Sequence, residues 1–271
     1  MKCAALSALL VFGCTLYGAE KQERDTENAM LAAYSNLQYS EARRLAAKSD
    51  RPEFKLISAL CDVFDRRTQN LKRGMPELER LSKSQELPER YRSMAKLAYA
   101  RANHTLALRE RVYKDAGKVN PVPIYEEIIT TYPESLESIS AVVYRAQYFM
   151  EERNFQEAIQ FTENFINSYK GKNRRLLCPL HLMLKDFYIL CFRDYKNAMR
   201  HAKIARELRP ANPRMAQRLD FQIARIYDVY LKDDVNAENE YLSFIEKHPD
   251  TSEATPAKRY LKELRERKAK K

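Results

Sequence analysis

Residues 141–158 read AVVYRAQYFMEERNFQEA, and this stretch decides the fold. Apolar side chains recur at spacings of three and four as far as Met150, the pattern of one helix face. Glu151-Glu152-Arg153-Asn154 interrupts the pattern, and it resumes at Phe155. Asn154 is placed to cap a second helix by accepting a bond from its free amides. The aromatic residue after it is expected to pack back onto the first helix. Ala158, one turn later, lets the two helices approach where a larger side chain would hold them apart.

The same phrase recurs along the chain. It appears as Gln38-Tyr39-Ser40-Glu41-Ala42, as Asp194-Tyr195-Lys196-Asn197-Ala198, and more weakly as Asp234-Val235-Asn236-Ala237. Ala158, Ala198 and Ala237 are separated by 40 and 39 residues, and Lys170, Pro210 and Pro249 follow them by twelve. A proline there ends the helix and sets up the next one. Tyr132-Pro133 extends the series upstream. Such periods with coincident internal landmarks mark stacked helix pairs. Six pairs are expected, over 28–54, 55–87, 88–138, 139–175, 176–215 and 216–254, with Asn120-Pro121-Val122-Pro123 interrupting the third. A closing helix from Pro256 to about Arg267 carries the polar surface that a terminal repeat needs.

The quoted stretch resembles a tetratricopeptide (TPR) repeat without gaps. Ala146 takes the small helix-crossing position, Phe149 the aromatic one and Ala158 the second small one, while Arg145 replaces a leucine and Val142 a bulky residue. The copy from His181 to Ala198 has Asp186 at the helix-crossing position. The copy from Phe221 to Pro249 needs one extra residue in its turn to bring Ala224 there. Its end, YLSFIEKHPDTSEATPAKRYL, looks like the repeats of bacterial outer-membrane assembly and cell-division lipoproteins. The resemblance implies an all-α, right-handed superhelical solenoid of about six TPR-like helix pairs with a C-terminal capping helix. It also implies a partner groove on the concave face, formed by Val143, Gln147 and Met150 in one repeat and Phe221, Arg225 and Asp228 in the last.

The N-terminus reads as an export signal over residues 1–19, in which Lys2 precedes an uncharged run from Cys3 to Ala19. Val11-Phe12-Gly13-Cys14 resembles a lipobox, which would end the signal at 13 and place lipid on Cys14. The rival cleavage site lies near Gly18-Ala19-Glu20. The expected organisation is a signal over 1–19, a TPR-like domain over 20–254 and a basic capping helix and tail over 255–271. Cys61, Cys178 and Cys191 remain after the leader. Cys178 and Cys191 lie too far apart along one helix to bridge, and Cys61 reads as a small buried hydrophobe.

Composition excludes several function classes. Only five glycines occur in 271 residues, too few for a phosphate-cradling loop. The expectation places Gly74 at a helix start and Gly117 and Gly171 just after helices, where a left-handed residue ends them. The histidines, His104, His181, His201 and His248, show no metal spacing and read as structural. Neither CxxC nor GxSxG occurs, and the neighbouring carboxylates Glu126-Glu127 and Glu151-Glu152 point apart on a helix. No catalytic residue, metal or cofactor is expected.

Net charge is +11, of which residues 258–271 supply +6. A solvated terminal helix accounts for that charge better than nucleic acid, which an exported protein rarely meets. Arg200, Lys203, Arg206, Arg209, Arg214 and Arg218 form a second basic cluster, read as a solvated face. The expected function is a non-enzymatic scaffold or adaptor of the bacterial envelope. It would be exported to the periplasm, with an outer-membrane anchor through lipid on Cys14, and would bind an envelope protein or peptide segment. The alternative is a periplasmic small-molecule or polymer-binding subunit of a transport system.

Overall fold

A computed structural model describes residues 23–65, 67–113, 120–210 and 212–270, and among these the chain is all-helical with no strand. The leader, Cys14 and Gly117 lie outside the described residues. The helices are α1 (23–35), α2 (Tyr39–Ala46), α3 (Pro52–Phe64), α4 (Thr68–Ser82), α5 (Glu89–Tyr113), α6 (Val122–Thr131), α7 (Leu136–Glu151), α8 (Phe155–Ser168), α9 (Cys178–Phe187), α10 (Tyr195–Glu207), α11 (Pro213–Arg225), α12 (Asp234–Lys247) and α13 (Ala254–Ala269). The chain divides into two compact units between Ile128 and Ile129, within α6.

In the first unit α2 packs on α3, α3 on α4, and α4 on α5. Phe54, Leu60, Leu71, Leu78 and Leu81 fill its core. Gly74 departs from expectation, because it lies inside α4, as does Pro76. A Cβ on Gly74 would sit 2.8 Å from the Ala59 carbonyl oxygen and 2.9 Å from the Asp62 Cβ. The glycine therefore serves a close crossing of α3 and α4 and does not start a helix.

In the second unit α7 packs on α8, α9 on α10, α11 on α12, and α12 on α13. The closing helix belongs to this core, where Ala257, Leu261 and Leu264 are buried. All four alanines of the recurring phrase, Ala42, Ala158, Ala198 and Ala237, are fully buried, as close helix approach requires. The aromatic after the cap behaves less uniformly. Tyr39 does meet Tyr34 of α1, but Tyr195 stacks forward on Tyr230 at 4.5 Å and Phe155 is exposed.

The turn inside each pair also repeats. Leu37, Arg153, Arg193 and Lys232, each five residues before its alanine, adopt left-handed backbone with φ of 61°, 63°, 54° and 55°. None is a glycine, and no described glycine has positive φ. The following amide closes the turn by bonding back to the end of the preceding helix. Gln38 N–H donates to the Ala33 carbonyl and Asn154 N–H to Phe149, five residues back. Asp194 N–H donates to Tyr188 and Asp233 N–H to Tyr227, six residues back. The additional residue is held in a π-helical turn, Tyr188–Phe192 after α9 and Ile226–Leu231 after α11. The extra residue expected near Ala224 thus has a structural form. The same insertion after α9 shifts the earlier register, so that Lys185 and not Asp186 takes the helix-crossing position.

Capping differs among the copies. Asp194 accepts from the Asn197 amide at 3.0 Å, and Asp233 accepts from the Asn236 amide at 3.1 Å. Asn154 makes no side-chain cap bond. Asp194→Ala is therefore expected to lower stability by about 1 kcal/mol, and Asn154→Ala by no more than a few tenths. Urea unfolding followed by far-UV circular dichroism checks this, and equal losses from the two variants would contradict the capping geometry.

Candidate binding groove

The first helices of two successive pairs, α9 and α11, flank a groove of about 540 Å³. Leu182, Lys185 and Asp186 line it from α9, and Arg214, Met215, Arg218 and Gln222 line it from α11. Asn212 caps α11 by accepting from the Arg214 amide at 2.9 Å, which starts the helix at the groove's edge. Met215 is 47% exposed and offers an apolar anchor. Lys185 is only 3% exposed. Its Nζ donates to Gln222 Oε1 at 2.6 Å and lies 2.7 Å from Asp186 Oδ1. The formal charge of this lining is +2, from three cations and one carboxylate. Such a surface suits an extended, partly acidic segment with an apolar side chain for Met215.

The six groove residues expected from sequence are not gathered at this place. Val143 and Met150 are half-buried against the core of α7–α9, and Gln147 is exposed. Phe221, Arg225 and Asp228 lie beneath α13. Phe221 packs against Phe244 and Tyr260, and the Arg225 guanidinium stands 4.0 Å above the Tyr260 ring. Asp228 accepts from Tyr241 Oη at 3.0 Å and from Arg267 at 2.8 Å. Asp228 is buried while Phe221 and Arg225 stay half-buried, because α13 packs beside them on α12. The tail's charge takes part in that docking, since Arg265 and Lys268 both bond Glu238 and Arg267 also bonds Asp234.

A second polar cluster lies among α8, α9 and α10. His181 and His201 are buried, with their Nδ1 atoms 2.9 Å apart. His201 Nε2 lies 3.4 Å from Glu163 Oε1, and Tyr188 stacks on the His201 ring while donating to Glu163 at 3.1 Å. Arg200 also donates to Glu163. Burial, then the neighbouring His201, Arg200 and Arg174 charges, lower His181 to about 4, against a smaller upward effect of Glu163. Burial and Arg200 lower His201 to about 4. Burial and Glu163 push Tyr188 up to about 12. His181 and Glu163 meet different nitrogens of His201, so the three do not converge on one point for a metal. Among the described residues no group of His, Cys, Asp or Glu side chains could hold a metal ion.

The other residues singled out in the sequence take packing or surface places. His104 Nδ1 lies 3.1 Å from the Tyr125 hydroxyl, and His248 Nε2 lies 3.6 Å from Asp220. Cys61 and Cys178 are buried and Cys191 half-buried, all three as free thiols. Burial pushes the Cys61 thiol up to about 11. The paired carboxylates Glu126-Glu127 and Glu151-Glu152 are exposed. Arg145, standing in place of a leucine, sets its guanidinium 3.7 Å above the Phe149 ring. Of the second basic cluster, Arg200 is tied to Glu163, Arg206 to Glu240, and Lys203 lies over the Tyr227 ring, while Arg214 and Arg218 face the groove. Sequence reasoning missed Lys185 because the π turn that moves it into register leaves no mark on side-chain periodicity. The residue itself, a lysine beside Leu184 in an otherwise apolar helix face, was the available signal.

No family model matches the sequence, and no curated protein matches it. Among solved structures, the chain is similar to BtubC (BKLC) from P. vanneervenii, with 12% identity and a TM-score of 0.53 over 89% of this chain and 92% of that one. At that identity the likeness concerns the helical fold alone.

Proposed function

We propose that this chain is a non-enzymatic scaffold built from TPR-like helix pairs of the kind that stack as a right-handed solenoid. It holds an extended segment of a partner protein in the groove between α9 and α11. The observation that carries this reading is the groove itself, with its exposed Met215, its two arginines and its buried lysine. The repeated left-handed turns and buried alanines support the TPR-like reading of the pairs. The export signal read in residues 1–19 supports a bacterial-envelope location, with an anchor through Cys14 where the lipobox is used. Resemblance of residues 241–261 to envelope assembly lipoproteins makes outer-membrane protein assembly or envelope maintenance the process served.

A photo-crosslinking amino acid at Met215, activated in the native envelope, is expected to trap one reproducible protein partner. The same probe at Leu242, 43% exposed on α12, should not trap it. Identical adducts from both positions, or none from Met215, would remove the groove from the proposal. The second reading, a small-molecule binder of a transport system, rests on the groove volume, which falls within the usual range for such ligands. A bound metabolite carried through purification, without any protein adduct, would favour it.

A further inference from the structure

We infer that Lys185, Arg214 and Arg218 form an oxyanion subsite in this groove, one that takes a carboxylate or phosphate group of the bound segment. The inference rests on the groove being the binding surface and names the chemistry that it selects. Its starting point is a lysine where the fold calls for a small residue. Ala146 in α7 and Ala224 in α11 hold the equivalent helix-crossing position, and both are fully buried. Lys185 holds it in α9, thirteen residues before Ala198, as Ala224 stands thirteen before Ala237. A buried ammonium there needs compensation, and alanine in the sibling helices avoids that need altogether.

The compensation present is partial. Gln222 supplies one neutral acceptor from α11, and Asp186 supplies a carboxylate that is itself 54% exposed. Water screens so exposed a partner, leaving the lysine's field directed into the groove. Arg214 and Arg218 stand on the opposite wall, one turn apart on α11, and both are exposed. A planar oxyanion between the walls could receive a guanidinium fork from one side and the ammonium point charge from the other. Asp186 would then be displaced from Lys185 and turn to water. Met215 beside the arginines would hold an apolar neighbour of the acidic group, which fits a segment alternating acidic and apolar residues.

Fluorescence anisotropy of a fluorescein-labelled hexaglutamate peptide, added to the full chain at physiological salt, tests this. The wild-type chain is expected to bind it. Lys185→Ala should weaken binding tenfold or more, and because alanine is the residue of the sibling helices, far-UV circular dichroism should stay unchanged. Arg214→Ala with Arg218→Ala should do the same, being surface changes. Asp186→Asn should tighten binding severalfold by removing the competing carboxylate. Lys258→Ala with Lys262→Ala, which removes as much charge from α13, should leave it unaltered.

Displacement of the peptide by inorganic phosphate at low millimolar concentration would assign the subsite to phosphate groups, and resistance to it would assign carboxylates. No binding by the wild-type chain, or equal binding by Lys185→Ala, would overturn the inference. Loss of the Met215 adduct with peptide binding intact would instead remove the adaptor reading and leave the subsite standing.

Discussion

Asp62→Ala is expected to lower the stability of the chain by about 2 kcal/mol, since it removes the charge-assisted hydrogen bonds that a buried carboxylate makes to two arginines. Asp62 lies on α3 and is 6% exposed. Arg43 of α2 donates to its Oδ1 at 2.7 Å, and Arg73 of α4 donates to its Oδ2 at 2.8 Å. One carboxylate thus ties three successive helices. Burial alone would raise its pKa, but the hydrogen bonds and charges of Arg73 and Arg43 outweigh burial and hold it below the usual carboxylate value. Urea unfolding at neutral pH provides the measurement. Because the arginines are partly exposed, Arg73→Ala should cost less than Asp62→Ala. Equal midpoints for Asp62→Ala and wild type would refute the tie.

The second large effect concerns acid. His181 and His201 are held at about 4, below their ordinary value of 6.5. Between those two values the unfolded chain binds more protons than the folded one. The contribution of the pair is therefore fully present above pH 6.5 and is lost as pH falls toward 4. Allowing for the interaction within the pair, the loss should amount to roughly 2–4 kcal/mol across that window. Burial, the largest cause, sets the direction for both histidines, and the groups facing them adjust it. Glu163 of α8 would favour a charged imidazole, whereas Arg200 of α10 and Arg174 before α9 oppose it, and Tyr188 covers the His201 face. Replacing the pair by His181→Leu with His201→Phe is expected to flatten the stability profile between pH 6.5 and 4.5. Carboxylates that titrate lower down, such as Asp62 and Asp194, keep their own contribution in both chains. A profile of unchanged slope would show that the histidines are not buried together.

Much of the helical architecture is legible in the sequence, because a helix that buries one face must repeat apolar residues at its own period. The alanine of the recurring phrase marks a point of close approach, and all four copies are buried. Positions that depend on backbone rather than side-chain pattern were not legible. Gly74 beside Pro76 looked like a helix start, yet it sits at a crossing of two helices. Left-handed turns fell on Leu37, Arg153, Arg193 and Lys232, which no glycine signal marked.

The sequence by itself determined that this chain consists of helices in succession, with small residues where they cross and little else to carry loop or sheet chemistry. Local periodicity and turn chemistry suffice for that, since each helix is specified within its own few turns. Tertiary structure decided which side chains meet. A π turn adds one residue after α9 and thereby moves Lys185 into the crossing. The docking of α13 buries Asp228 and half-covers Phe221 and Arg225, and it leaves the groove between α9 and α11 open. His181 and His201, 20 residues apart in the chain, become neighbours only when α9 packs on α10. Each of these outcomes depends on backbone bonds and helix contacts between distant residues, which a one-dimensional pattern does not record.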